Sequence, residues 1–173
     1  MTLVIVSGGQ TGADRAALDF AIWAGLPHDG WCPLGRLAED GPLDARYQLR
    51  ETPTSQYGER TAWNVRDSDA TVLFTLKAEL TGGTKLTGDV AASLRRPMLH
   101  LSAADVGALE AAAMLKQFLA THKVARLNIA GPRASQEPEI AAYVDAVLTA
   151  ALGKAEDSPR RHDEHNDGGE LRY

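Results

Sequence analysis

The sequence predicts a doubly wound α/β domain of about five mainly parallel strands with helices on both faces. Two observations lead there. Short apolar runs alternate with longer stretches of helical period, a pattern that builds a parallel sheet covered by helices. The first run, Val4-Ile5-Val6, breaks into Ser7-Gly8-Gly9-Gln10-Thr11-Gly12 and passes at once into a helical pattern. Ligands of doubly wound sheets gather at strand ends of this kind.

Each element has its own signal. Ala13, Ala16, Ala17, Phe20, Ala21 and Ala24 recur at i, i+3, i+4 spacing. Thr11 and Asp14 have the spacing of a capping box with Asp in place of Glu, and Gly25 stands where a left-handed glycine ends a helix. Gly30-Trp31-Cys32-Pro33 reads as a short second strand. Residues 34–53 hold no period and carry Gly35, Gly41, Pro42 and Pro53; a long loop inside a compact domain is often functional. Residues 57–67 read as a helix and Thr71–Thr75 as the third strand. Leu80-Thr81-Gly82-Gly83-Thr84 is a second glycine-rich loop, and the helix after it places Leu86, Val90 and Leu94 on one face before Pro97. Met98–Leu101 is the fourth strand, 105–121 a helix and Val124–Ala130 the fifth strand. Ile140, Tyr143, Val144, Val147, Leu148 and Ala151 mark the last helix. The domain spans 1–153. Residues 154–173 are polar and read as a disordered tail, in which His162 and His165 are solvated rather than metal ligands.

Composition narrows the class. The 173 residues are 44% hydrophobic, enough for one core. The single cysteine, Cys32, excludes an internal disulfide framework; it is the one soft metal ligand available, though small buried cysteines are common. No export signal and no apolar run of roughly 18 residues is present, so a cytoplasmic location away from membranes is expected. A net charge of −5 argues against general nucleic-acid binding but leaves room for a small anionic ligand.

Three loops converge at the predicted carboxyl edge: Ser7–Arg15, Leu80–Thr84, and Gly131-Pro132-Arg133. The glycines Gly8, Gly9, Gly12, Gly82 and Gly83 let backbone N–H groups approach a ligand, and a helix N-terminus favours an anion there; the bland reading of the first loop is a tight βα turn. Gln10 lies in that loop, and Thr11, Thr84 and Thr87 offer hydroxyls. Arg15 in the first helical turn points to an anionic partner or to a salt bridge with Asp19. Arg36 closes over an anion or pairs with Glu39 or Asp40. Arg60 and Asn64, at i, i+4, address one object or form a solvated face. Arg133 adds charge from the third loop. The five histidines are scattered, and no nucleophilic triad, zinc set or paired carboxylates can be read.

At this point several motifs together resemble a known family. Ser-Gly-Gly-Gln-Thr-Gly-Ala-Asp at 7–14, Gly-Trp-Cys-Pro-Leu-Gly-Arg at 30–36, Ala-Glu-Asp-Gly at 38–41, Tyr57 with Arg60-Thr61 and Asn64, Asp67-Ser68-Asp69, Gly82-Gly83-Thr84 and Leu127–Arg133 resemble the molybdenum carrier proteins over residues 3–150. The resemblance implies a Rossmann-like fold, binding of the molybdenum cofactor (a labile pterin dithiolene phosphate), homo-oligomers such as a dimer or tetramer, and delivery to a molybdoenzyme or cofactor-insertion partner. No metal held directly by the protein is expected.

Arg60-Thr61, Ser68-Asp69 and Gly82-Gly83-Thr84 are also distantly similar to the LONELY GUY phosphoribohydrolases, relatives of proteins once called lysine decarboxylases. Arg60 matches their functional arginine. Lys85 stands where their loop has its third glycine, and Asp89 stands at the position of the catalytic glutamate. A shortened carboxylate favours binding over hydrolysis. The expected function is therefore sequestration of a phosphorylated pterin or nucleotide-like ligand, with a nucleotide hydrolase using Arg60 and Asp89 as the alternative. A sensor of a nucleotide-derived ligand is a third reading.

Overall fold

The computed structural model describes residues 2–153; the expected tail, with His162 and His165, lies outside the described residues. Five parallel strands form the main sheet: β1 (Val4–Val6), β2 (His28–Asp29), β7 (Ala70–Thr75), β8 (Met98–Ser102) and β9 (Arg126–Ala130), in the order β2-β1-β9-β7-β8. Four more short strands lie between β2 and β7: β3 (Trp31–Cys32), β4 (Leu37–Ala38), β5 (Gly41–Pro42) and β6 (Arg50–Glu51). The helices are α1 (Ala13–Ala24), α2 (Tyr57–Arg66), α3 (Gly82–Ser93), α4 (Ala108–His122) and α5 (Ile140–Leu152). This is a Rossmann-like α/β fold.

Handedness explains the layers. The step from β1 to β2 runs outward in one direction, and the step from β7 to β8 runs in the other. Right-handed crossovers then put α1 and α3 on opposite faces. The return from β8 to β9 shares the sense of the first step and puts α4 with α1. Accordingly α5 packs between α1 and α4, while α2 packs on α3. Ala17, Phe20, Leu115, Val144 and Leu148 meet Ile5, Val72, Phe74 and Leu127 in the principal core. All six residues of β7 are buried, as a central parallel strand requires.

The second strand differs from its expectation. His28–Asp29 pairs with β1, whereas Trp31–Cys32 turns away and pairs with Arg50–Glu51. Gly30 makes the break: its φ is 145°, and a side chain there would stand 2.1 Å from the carbonyl oxygen of Ser7. The long 34–53 segment is ordered, with β4 and β5 as an antiparallel ribbon. Cys32, Ala38, Leu43, Tyr47 and Leu49 pack with Leu18 in a satellite core. No helix among the described residues is long and apolar enough to cross a membrane.

Candidate functional site

β1, β9 and β7 are neighbours at the centre of the sheet, so the loops leaving their carboxyl ends meet above the point where the strand order reverses. A cleft opens there, lined among others by Gly8, Gln10, Arg60, Asn64, Gly83, Thr84, Thr87 and Arg133. Those eight predicted residues are brought together. Asp14, Tyr57, Asn128, Gly131 and Gln136 also line it. Of these Gln136 carried no sequence signal, while Asp14 stood in the first turn of a helix opened by glycines.

The first glycine loop is filled by its own carboxylate. The backbone N–H of Gln10 donates to Asp14 Oδ2 at 3.3 Å, and Arg60 Nη1 donates to the same oxygen at 3.3 Å. Asp14 and Arg60 are both buried. Burial raises the Asp14 carboxyl above the usual carboxylate range, against the pull of Arg60 and of the N–H groups of Gln10 and Gly8. The N-terminus of α1 is covered too. Ala13 N–H donates to the Pro132 carbonyl at 3.2 Å, and a side chain on Gly12 would stand 2.5 Å from that oxygen. The Thr11–Asp14 capping box does not form, since Gly12 caps the helix without a side-chain bond; Asp14 is drawn to Arg60 and Gln10 instead. The open helix end at the cleft is that of α3. The N–H groups of Gly82, Gly83 and Thr84 meet no protein acceptor among the described residues, and its first turn carries no acid.

The rim is tied by the tip of the β4–β5 ribbon. The Glu39 carboxylate accepts from Thr11 Oγ1, from Ser135 N at 3.1 Å and from Ser135 Oγ at 2.6 Å, with Arg133 Nη1 at 3.9 Å. Hydrogen bonds from Ser135 and Thr11 hold its carboxyl below the ordinary glutamate value. The Glu39 N–H donates to Gln10 Oε1 at 2.9 Å, and so does the Thr11 N–H at 3.0 Å. Two bonds on Oε1 fix the orientation of the Gln10 amide. Its Nε2 and the Nε of Arg60 are buried without a partner among the described residues. Buried donors are nearly always satisfied, and these two belong to residues that line the cleft. Tyr57 stands at the mouth, with the guanidinium carbons of Arg60 and Arg133 at 5.5 and 5.6 Å from its ring centre.

The remaining predicted residues lie elsewhere. Gly9 packs under Leu43 and Leu49. Arg15 donates to the Gly9 carbonyl and pairs with Asp40 at 3.0 Å rather than with Asp19. Arg36 donates to the carbonyls of Leu43, Asp44, Tyr47 and Leu49, which makes it the inner support of the 34–53 segment rather than a partner of Glu39 or Asp40. Asn64 lines the cleft, but its amide is spent on Trp31: Oδ1 accepts the Trp31 N–H at 2.7 Å and Nδ2 donates to the Trp31 carbonyl at 2.9 Å. Arg60 and Asn64 therefore serve different partners. Asp89 is exposed and pairs with Lys85 at 2.7 Å, outside the cleft. Cys32 is buried in the satellite core, which raises its thiol pKa, and no cluster of potential metal ligands occurs among the described residues.

Residues 5–152 match the circularly permutated YpsA SLOG family. The chain belongs to that family. Its structure is also similar to the crystal structure of a "putative molybdenum carrier protein" from Syntrophus aciditrophicus SB, with 45% sequence identity and a TM-score of 0.86 over 87% of this chain and 95% of that one. No curated protein matches the sequence. The sequence resemblance to molybdenum carrier proteins is thus supported by a solved relative, and the SLOG family match covers every residue that lines the cleft.

Proposed function

We propose that the cleft binds a small phosphorylated ligand and that the protein sequesters or carries it, with the molybdenum cofactor or a related phosphorylated pterin or nucleotide-like molecule as cargo. One observation carries this reading. The uncapped N-terminus of α3 shares a cleft with Arg133 and with two buried, unsatisfied donors, in a chain of negative net charge. A helix N-terminus attracts an anion through its free N–H groups and its dipole. Thr84 and Thr87, both buried, add hydroxyls. The name of the Syntrophus relative favours a molybdenum-bearing cargo, and we propose a molybdoenzyme or cofactor-insertion protein as the partner that receives it.

The carboxylates favour binding over N-glycosidic hydrolysis. Asp14 is the only acidic side chain lining the cleft among the described residues, and Arg60 with the backbone of Gln10 occupies it. Asp89 points to Lys85 instead. Native mass spectrometry of the protein purified from its own host tests the reading. We expect a phosphorylated small molecule to be retained, and the same spectra to show a dimer or tetramer. Purified protein that retains nothing and binds neither inorganic phosphate nor a phosphorylated pterin would overturn it.

A further inference from the structure

The cleft has two ends of different charge. At the α3 end stand the backbone N–H groups of its first turn and the hydroxyls of Thr84 and Thr87, with no acid in that turn. At the β1 end stand Gln10 and Arg60. Here the guanidinium is already neutralised by Asp14, and Gln10 is uncharged. What this end lacks is not charge but an acceptor: Gln10 Nε2 and Arg60 Nε are both unmet, in residues more than nine-tenths buried. Neither donor can easily turn to another partner. Gln10 Oε1 is held by the N–H groups of Thr11 and Glu39, and Arg60 Nη1 is held by Asp14 and packed against Gly8.

We infer that Gln10 and Arg60 form an acceptor-reading subsite that takes a neutral carbonyl oxygen of the ligand, while its phosphoryl group lies at the α3 end. This rests on the proposed binding function and narrows its ligand class to phosphorylated molecules with a ring carbonyl. A carbonyl oxygen has two lone pairs and can accept from both donors. An exocyclic amine at that place would set donor against donor, and leaving buried polar groups unpaired is the strongest source of discrimination between near-isosteric ligands.

Calorimetric titration with three probes tests this: inorganic phosphate, inosine 5′-monophosphate and adenosine 5′-monophosphate. The two nucleotides differ on one edge of the ring: a carbonyl beside an N–H in the first, an amine beside a bare ring nitrogen in the second. Wild-type protein should bind the inosine compound at least tenfold more tightly. Gln10→Glu keeps the acceptor for Thr11 and Glu39 and removes the Nε2 donor; Arg60→Lys keeps a cation for Asp14 and removes the Nε donor. Either variant should lose the tenfold preference, read as the ratio of its two nucleotide affinities, whatever its absolute affinity for phosphate. Should one variant fail to fold, the other reads the same quantity. A wild type that binds phosphate but does not discriminate, or variants that keep the wild-type ratio, would overturn the subsite and leave the binding function standing. Failure of the wild type to bind phosphate, either nucleotide or a phosphorylated pterin would overturn both.

Discussion

Arg60 occupies the space in which a side chain on Gly8 would stand. A Cβ there would lie 1.9 Å from Nη1 and 2.7 Å from Cζ of the arginine. The guanidinium is buried and bonded to Asp14, so it can make way only by giving up that bond. Gly8→Ala should therefore push Arg60 off Asp14 and leave a buried carboxylate without its cation, a loss of about 3 kcal/mol. Urea denaturation measures it. A stability within 0.5 kcal/mol of wild type would show that Arg60 is not pinned.

Gly83 offers the opposite case. It lines the cleft in the first turn of α3, yet a Cβ there would meet nothing within 4 Å. Alanine should hold the fold or stabilise it slightly, by up to about 1 kcal/mol. Its methyl group would stand where a ligand approaches, so phosphate affinity should fall while the melting temperature does not. Unchanged affinity in Gly83→Ala would place the anion elsewhere.

Asn64→Ala should act on stability rather than through direct ligand contact. It strips partners from both the N–H and the carbonyl of Trp31. Unsatisfied polar groups of this kind cost about 1–3 kcal/mol. Thermal melting of the variant, with and without ligand, separates the two roles. Equal ligand-induced shifts in wild type and variant are the expected result.

Asp67 gives a pH dependence. Hydrogen bonds from Arg66 and then from Trp31 Nε1 lower its carboxyl to about 2 from 3.8. A depressed folded-state pKa contributes stability that is complete above the unfolded value and is lost as pH falls through the folded one. The window is therefore pH 4 down to 2. Because the pair is partly solvated, the contribution is about 1 kcal/mol. The stability gap between wild type and Asp67→Asn should close across that window and stay constant above pH 5.

Asp89→Asn should change neither binding nor any turnover. Its carboxylate faces Lys85 in solvent, a pair worth at most a few tenths of a kcal/mol. Release of free base from nucleoside monophosphates that disappears in both Asp89→Asn and Arg60→Ala would favour a hydrolase instead.

The order of strands and helices was legible because each owes its form to local pattern: β7 reads from Val72-Leu73-Phe74 between β-branched threonines, and α5 repeats its apolar face through Ile140, Val144, Val147 and Leu148. The second strand was not, because it is an edge strand of two polar residues, His28 and Asp29, selected by pairing with Ile5 and Val6 rather than by their own character. The 34–53 segment hid its order for a related reason. Arg36 holds it by four carbonyls spread over Leu43 to Leu49, and such bonds leave no periodic trace. At the site, the convergence of three loops was readable from glycines at strand ends. That Asp14 fills the first of them, and that Glu39 reaches across to Ser135, depend on contacts spanning 46 and 96 residues.

The strand order also bears on how the chain comes to life on the ribosome. β9 lies between β1 and β7, though it is the last of the five to be synthesised. Until residues 126–130 emerge, β1 and β7 have an empty lane between them, and neither Phe74 nor Ala13 has Gly131 to close against. Most of the domain must wait for this late wedge, with its apolar strand flanks exposed to whatever chaperone or neighbour is at hand. The same insertion that builds the cleft thus makes its completion a late event of synthesis, and a product truncated before β9 would lack the loop that carries Arg133.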